Sequence, residues 1–299
     1  MVVVVSTQVI KDKIGETLSP HISFDQWLIV KTIPTEKKKI IALLQKNKCE
    51  TKKGRLIFFV NRKQRNPSEF PGLFIDHWLL SLVFYKNDHE LFNWHRALND
   101  YSNSPSKKVF ILGMMKPLYM RWANQFYACF KKEKCLGKET FKYLPDTTTN
   151  TELAQKLSKG CALAIYVGHG RSRGWSGYRG FRFHHMEETE QSHPVGVLFS
   201  FSCSGLKADK KDSIPFGLQW TTSGRACTSI AACESLQIKP LEIIANALME
   251  SVSMRGCFRV DQLLFSMNDK IKKISNPDVT LNWQRFRLIG NPFQRLKRT

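Results

Sequence analysis

The sequence predicts an α/β fold: a mostly parallel central sheet between layers of helices. Three observations carry the prediction. Residues 161–167 and 195–201 are uninterrupted apolar runs of strand length, and 226–232 is a third. A strand that buries one face alternates apolar and polar residues, whereas a parallel strand covered on both faces does not. Around these runs lie longer stretches with helical spacing, and alternation of the two patterns is what a parallel sheet with helical crossovers produces.

In chain order, residues 25–31 read as a short buried strand. Pro34 then opens a helical pattern in which Ile40, Ile41, Leu43 and Leu44 share a face. Gly54 precedes a strand at 55–60. The two prolines and the polar residues of 61–72 are loop chemistry, 73–85 is apolar again, and 88–101 is helical. Five turn-forming residues at 102–106 can continue neither helix nor strand. They divide an amino-terminal α/β region, 1–104, from a second unit, 105–299. That unit opens with a strand at 108–112 ended by Gly113 and a helix at 117–134 started by Pro117. A helix at 151–159, capped by Asn150, leads into the first apolar run. After the third run come helices near 240–252 and 258–273 and a last strand near 285–289. A charged segment after Cys203, residues 206–213, lacks apolar anchors and reads as an exposed loop.

The 299 residues include 46 Lys plus Arg against 25 Asp plus Glu, a formal charge of +21. With 42% hydrophobic residues the chain has material for a sizeable core, which excludes wholesale disorder. The charge is spread in short groups such as Lys37–Lys39 and the terminal run 295–298, without a long basic arm. It favours acidic partners in general and admits nucleic acid without singling it out. Eight cysteines form no CxxC pair or zinc-ribbon spacing, so no structural metal is expected. The apolar start at residues 2–5 is too short for a signal-peptide core, and no run reaches the length of a membrane span. The expectation is a cytoplasmic protein with free thiols and no membrane span.

Chemistry gathers at the carboxyl edge of open α/β sheets, and two of the buried runs end there in reactive residues. The first ends in Gly168-His169-Gly170, the second in Ser202-Cys203-Ser204-Gly205. If these strands are parallel neighbours, His169 and Cys203 emerge at the same edge, and an imidazole beside a thiol supplies both a base for it and an acid for a leaving amine. The amides of Gly170 and Cys203 would form the oxyanion hole. The glycine- and arginine-rich segment 171–183, with Trp175 and Tyr178, reads as a pliable wall of a peptide groove. Either residue by itself is more often structural. The metal reading of His184, His185 and His193 with Cys203 matches no ordinary zinc spacing.

A buried strand ending in His-Gly, followed by a buried strand ending in a small residue and Cys, resembles the caspase and gingipain superfamily of cysteine peptidases, clan CD. The chain is most similar to the gingipain-type branch, from about residue 107 to 296. Leu288-Ile289-Gly290-Asn291-Pro292 is similar to a Leu-x-Gly-Asp-Pro sequence of that branch, with Asn291 in place of the acid. Ser202 stands where Ala is frequent, and the caspase pentapeptide is absent, which disfavours a true caspase. The resemblance implies a caspase-like three-layer αβα sandwich with a mostly parallel sheet, His169 as general acid/base, Cys203 as nucleophile, and no cofactor. It also points to Cys233-Glu234-Ser235-Leu236 as lining for the substrate pocket. There Glu234 would select a basic residue before the cleaved bond, while Arg179, Arg182 or Arg225 would select an acidic one.

The expected function is an intracellular cysteine endopeptidase that hydrolyses a protein partner through a Cys-His dyad. The resemblance extends this to a bacterial defence or regulated cell-death system. The alternative is an inactive caspase-like module whose basic surface binds nucleic acid or another polyanion.

Overall fold

The computed structural model describes residues 1–18, 24–49, 51, 53–132, 139–210, 213–253 and 259–296. In chain order the elements are β1 (Val2–Ser6), α1 (Gln8–Leu18), β2 (Gln26–Ile29), α2 (Lys37–Lys46), β3 (Gly54–Asn61), β4 (Phe74–Ile75), β5 (Trp78–Tyr85), α3 (Asp88–Asn103), β6 (Lys108–Gly113) and α4 (Pro117–Lys132). They continue with β7 (Glu139–Tyr143), α5 (Asn150–Ser158), β8 (Leu163–Val167), β9 (Gly170–Arg171), β10 (Gly174–Trp175), α6 (His184–Glu187), β11 (Val195–Phe201) and α7 (Phe216–Thr222). The last are β12 (Ala226–Ala232), α8 (Ile238–Val252), α9 (Val260–Ile274), α10 (Pro277–Gln284) and β13 (Phe286–Gly290).

Among the described residues one eleven-stranded sheet runs β2-β1-β3-β5-β13-β12-β11-β8-β6-β7, with β4 hairpinned onto β5. Its neighbours are parallel except at that hairpin and between β12 and β13. Because β13 is parallel to β5 and antiparallel to β12, β1, β2, β3 and β5 point opposite to β6, β8, β11 and β12. The sheet thus continues across the segment 102–106.

Each apolar run is explained by what covers it. Ile165, Val167, Phe199 and Phe201 join a core made with α4, α8, α9 and α10. Their alternates Ala164, Tyr166 and Leu198 join a second core with α5 and α7. Side chains of a strand alternate between faces, so with a core on each face no position is left for a polar residue facing water. This is the mostly parallel αβα sandwich that the sequence predicts.

Several local expectations shift. The cap of α5 is Thr149, not Asn150: its hydroxyl accepts from the Glu152 amide, and Glu152 answers to the Thr149 amide, a reciprocal capping box. The loop after Cys203 does have an apolar anchor, since Leu206 is buried in the core. The end of the predicted 117–134 helix, Cys135, Cys257, Phe258, Lys211, Asp212 and residues 297–298 lie outside the described residues.

The amino-terminal strands are fastened to the rest by a buried carboxylate. Asp261 at the start of α9 is fully buried and receives the Nε and guanidinium N–H of Arg55 on β3 at 2.9 and 2.7 Å, with Arg259 at 2.9–3.0 Å. Substituting Asp261→Asn keeps the shape but removes the charge that two guanidiniums share. A loss of roughly 2 kcal/mol is expected in a denaturant titration, given the usual worth of charge-assisted bonds.

Candidate active site

The parallel register of β8 and β11 sets Val167 opposite Phe201, and the ladder continues as the Gly168 amide donates to the Phe201 carbonyl at 3.3 Å. His169 and Cys203 each follow this last register pair by two residues, past the carboxyl ends of adjacent parallel strands on one sheet edge. β12 ends alongside, where the Ser204 amide donates to the Glu234 carbonyl at 3.0 Å. Ser204 has φ 55°, the left-handed region that L-residues seldom occupy, and it turns the chain away directly after Cys203.

Gly170 has to be glycine. A Cβ there would lie 2.4 Å from Ser202 Oγ and 2.9 Å from the Cys203 carbonyl oxygen. Its absence lets the backbone after His169 lie directly on the backbone that carries Cys203, and Gly170 and Cys203 line the same cleft. Ser202 is fixed from below: its hydroxyl meets that of Ser200 at 2.8 Å, and Ser200 accepts from Trp175 Nε1 at 2.9 Å.

The imidazole is held by two residues that the sequence analysis did not single out. Lys116 Nζ lies 3.3 Å from His169 Nε2, and the Tyr119 hydroxyl 3.3 Å from Nδ1. An ammonium only donates, so Nε2 accepts; the neutral ring then carries its proton on Nδ1 and donates it to the Tyr119 oxygen. The Tyr119 ring stands edge-on to the imidazole at 5.1 Å between centroids. Partial burial, and secondarily the Lys116 charge, hold the imidazole below its ordinary value of 6.5. Burial raises the Tyr119 phenol, and the neighbouring Cys203 adds to the shift. A signal for these two residues existed: β6 ends beside β8 at the same edge, and Lys116 and Tyr119 follow its last residue closely.

The Cys203 sulfur accepts from the Leu236 amide at 3.3 Å. The thiol is half-buried, whereas Cys161, Cys227 and Cys233 are core thiols, the last pushed by burial up to about 11.

The structure redistributes the other predicted site residues. Trp175 and Tyr178 are 1% and 2% exposed, so they cannot form a groove wall as the sequence reading supposes. Trp175 stacks on Tyr166 at 4.4 Å, and Tyr178 donates to the Tyr143 carbonyl at 2.6 Å while accepting from the Gly113 amide. They form the floor under the His169 loop. Glu234 is largely exposed and ion-paired with Arg285 at 3.1 Å; it lines a neighbouring cavity, whereas Ser235 borders both that cavity and the Cys203 cleft. Of the three arginines, Arg182 lines the Cys203 cleft. Arg225 precedes β12 and so sits at the opposite edge of the sheet.

The model of peptidase family C25 matches residues 74–297 of this sequence, well over half of its length. The chain belongs to peptidase family C25. Its fold is that of the Arg-specific cysteine proteinase gingipain R: the crystal structure of that enzyme superposes with a TM-score of 0.77 at 9% identity, over 98% of this chain and 77% of the other. The complex of pro- and mature domains of Porphyromonas gingivalis RgpB gives 0.76 at 10% identity, over 97% and 78%. The Saccharomyces cerevisiae separase–securin complex gives 0.55 at 15% identity, over 81% of this chain but 15% of that one. No curated protein matches by sequence. The chain is therefore a member of a cysteine peptidase family with a caspase-like fold.

Proposed function

We propose that this C25-family chain is an endopeptidase that cleaves a protein partner through Cys203 and His169. The observation that carries the reading is that both residues follow one register pair of adjacent parallel strands by two positions, with Gly170 and Cys203 bordering one cleft. Cys203 Sγ attacks the carbonyl carbon of the scissile bond as His169 takes the thiol proton. The negative charge developing on the carbonyl oxygen is met by the Gly170 and Cys203 amides. His169 then delivers the proton to the leaving amine as the C–N bond breaks. Water, deprotonated by His169, hydrolyses the thioester and the thiol is regenerated.

With Nδ1 engaged by Tyr119, Nε2 is the nitrogen assigned to proton transfer, and Lys116 occupies it at rest. We read residues 1–104 as the companion half, whose β5 supports β13 and through it the strands bearing the dyad. Free thiols at Cys49, Cys161, Cys203, Cys227 and Cys233 support work in a reducing compartment.

A thiol-directed electrophile at pH 7, with its sites mapped by mass spectrometry, tests the assignment. Cys203 should react well before Cys161, Cys227 and Cys233, and more slowly in His169→Ala. An unreactive Cys203 together with steeply salt-dependent nucleic-acid binding would instead make the chain a binding module.

The pH profile tests the imidazole environment. Hydrolysis requires the neutral ring as base, so kcat/KM should fall as pH drops through a value below 6.5, the ordinary imidazole value. Lys116→Met removes the cation and leaves the burial, so the acidic limb should move up toward 6.5. An unmoved limb would show that it reports another group.

A further inference from the structure

The cleft beside Cys203, of about 590 Å³, is bordered by four basic side chains, Arg171, Arg173, Arg182 and Lys207, against one carboxylate, Asp209. That carboxylate is fully engaged. It accepts from the buried Ser172 hydroxyl and from Arg173 Nε at 2.9 Å, and so ties the loop after Cys203 to the loop after His169. The same contacts, Ser172 first and Arg173 next, hold its carboxyl below the usual carboxylate range. Arg182 is anchored by donating to the Trp175 carbonyl at 3.1 Å. Among the described residues, no carboxylate lies within ion-pair distance of Arg171, Arg182 or Lys207. Glu234, next to the cleft residue Ser235, pairs with Arg285. The cleft therefore presents an excess of positive charge next to the nucleophile, on a frame fixed by Asp209.

We infer that this cleft is a subsite for an anionic side chain of the substrate, a carboxylate or a phosphorylated residue, close to the bond being cleaved. The inference rests on the peptidase reading for its place in catalysis, but the binding it asserts does not need turnover. An anion in the cleft would pair with Arg171 and Lys207, and guanidinium with carboxylate or phosphate forms the stronger, bidentate kind of charge-assisted bond.

The test uses the full-length Cys203→Ala protein and fluorescence anisotropy with labelled eight-residue Ala/Gly peptides. Their central pair is Glu-Glu, Gln-Gln, phosphoserine-Ala or Lys-Lys. The Glu-Glu or the phosphoserine peptide should bind at least about tenfold tighter than Gln-Gln, in line with one to two charge-assisted bonds; whichever of the two is tighter identifies the source of the anion. In Arg171→Gln/Lys207→Gln the ratio should collapse toward one. It should persist in Lys272→Gln/Lys273→Gln, which removes the same charge from the exposed end of α9. A ratio that survives the cleft variant, or falls equally in both, would assign the binding to the overall charge and overturn the subsite. Preference for Lys-Lys would overturn it in favour of Glu234. Incubating the same peptides with the unsubstituted protein separates the two readings: discrimination in binding without cleavage sinks the peptidase and leaves the subsite, and cleavage without discrimination does the reverse.

Discussion

Cys203→Ala is expected to lower peptide hydrolysis by roughly 10⁴-fold or more, and His169→Ala by a comparable factor, because residues acting as one unit lose nearly the whole rate when either is removed. The double variant should be little worse than either single one. Stability should scarcely change in Cys203→Ala, since the sulfur is half-buried and its described hydrogen-bond contacts are to the Leu236 backbone. Single-turnover assays beside denaturant titrations make the comparison. A Cys203→Ala protein that retains hydrolysis would remove the dyad, and a loss of rate that tracks unfolding would make Cys203 a packing residue.

Trp175→Ala has the next largest effect, and it is an effect on the fold first. The indole fills the space between Tyr166, Phe181 and Trp220 and donates to Ser200. Truncating a buried Trp costs about 3–5 kcal/mol, and the Ser200–Ser202 pair loses a donor. The consequence reaches the site, because Tyr166 donates to the His169 carbonyl at 2.9 Å, and Ser176, adjacent to Trp175, donates to the same oxygen at 2.9 Å. The unfolding midpoint should drop and kcat should fall with it, while KM changes little. A raised KM at unchanged stability would restore Trp175 to the substrate groove. The aromatic pair in a glycine-rich loop looks like groove lining in sequence because nothing local distinguishes an indole over a cleft from one under it. Tyr166 and Ser200, which decide the matter, come from β8 and β11.

The other differences have the same origin. The 161–167, 195–201 and 226–232 strands are readable because covering both faces leaves an unbroken apolar run. β1 at Val2–Ser6 is as apolar, but its place between β2 and β3 follows only from long-range pairing. Edge strand β7 at Glu139–Tyr143 has exposed or half-buried residues throughout and so no apolar run to announce it. Lys116 and Tyr119 are far from His169 in sequence, and the β6–β8 pairing brings them to it. Glu234, expected to select a basic substrate residue, pairs with Arg285 from the far end of α10.

Sequence alone determined the layered α/β architecture, through burial on both faces, and the ends of two strands where a histidine and a cysteine follow. Tertiary structure decided what those ends can do. Register of one strand on its neighbour brings the ends that carry His169 and Cys203 to one sheet edge, and the absence of a Cβ at Gly170 lets two backbones meet. Separate loops converging on one cleft bring Arg171, Arg173, Arg182 and Lys207 together out of the dispersed charge of the chain.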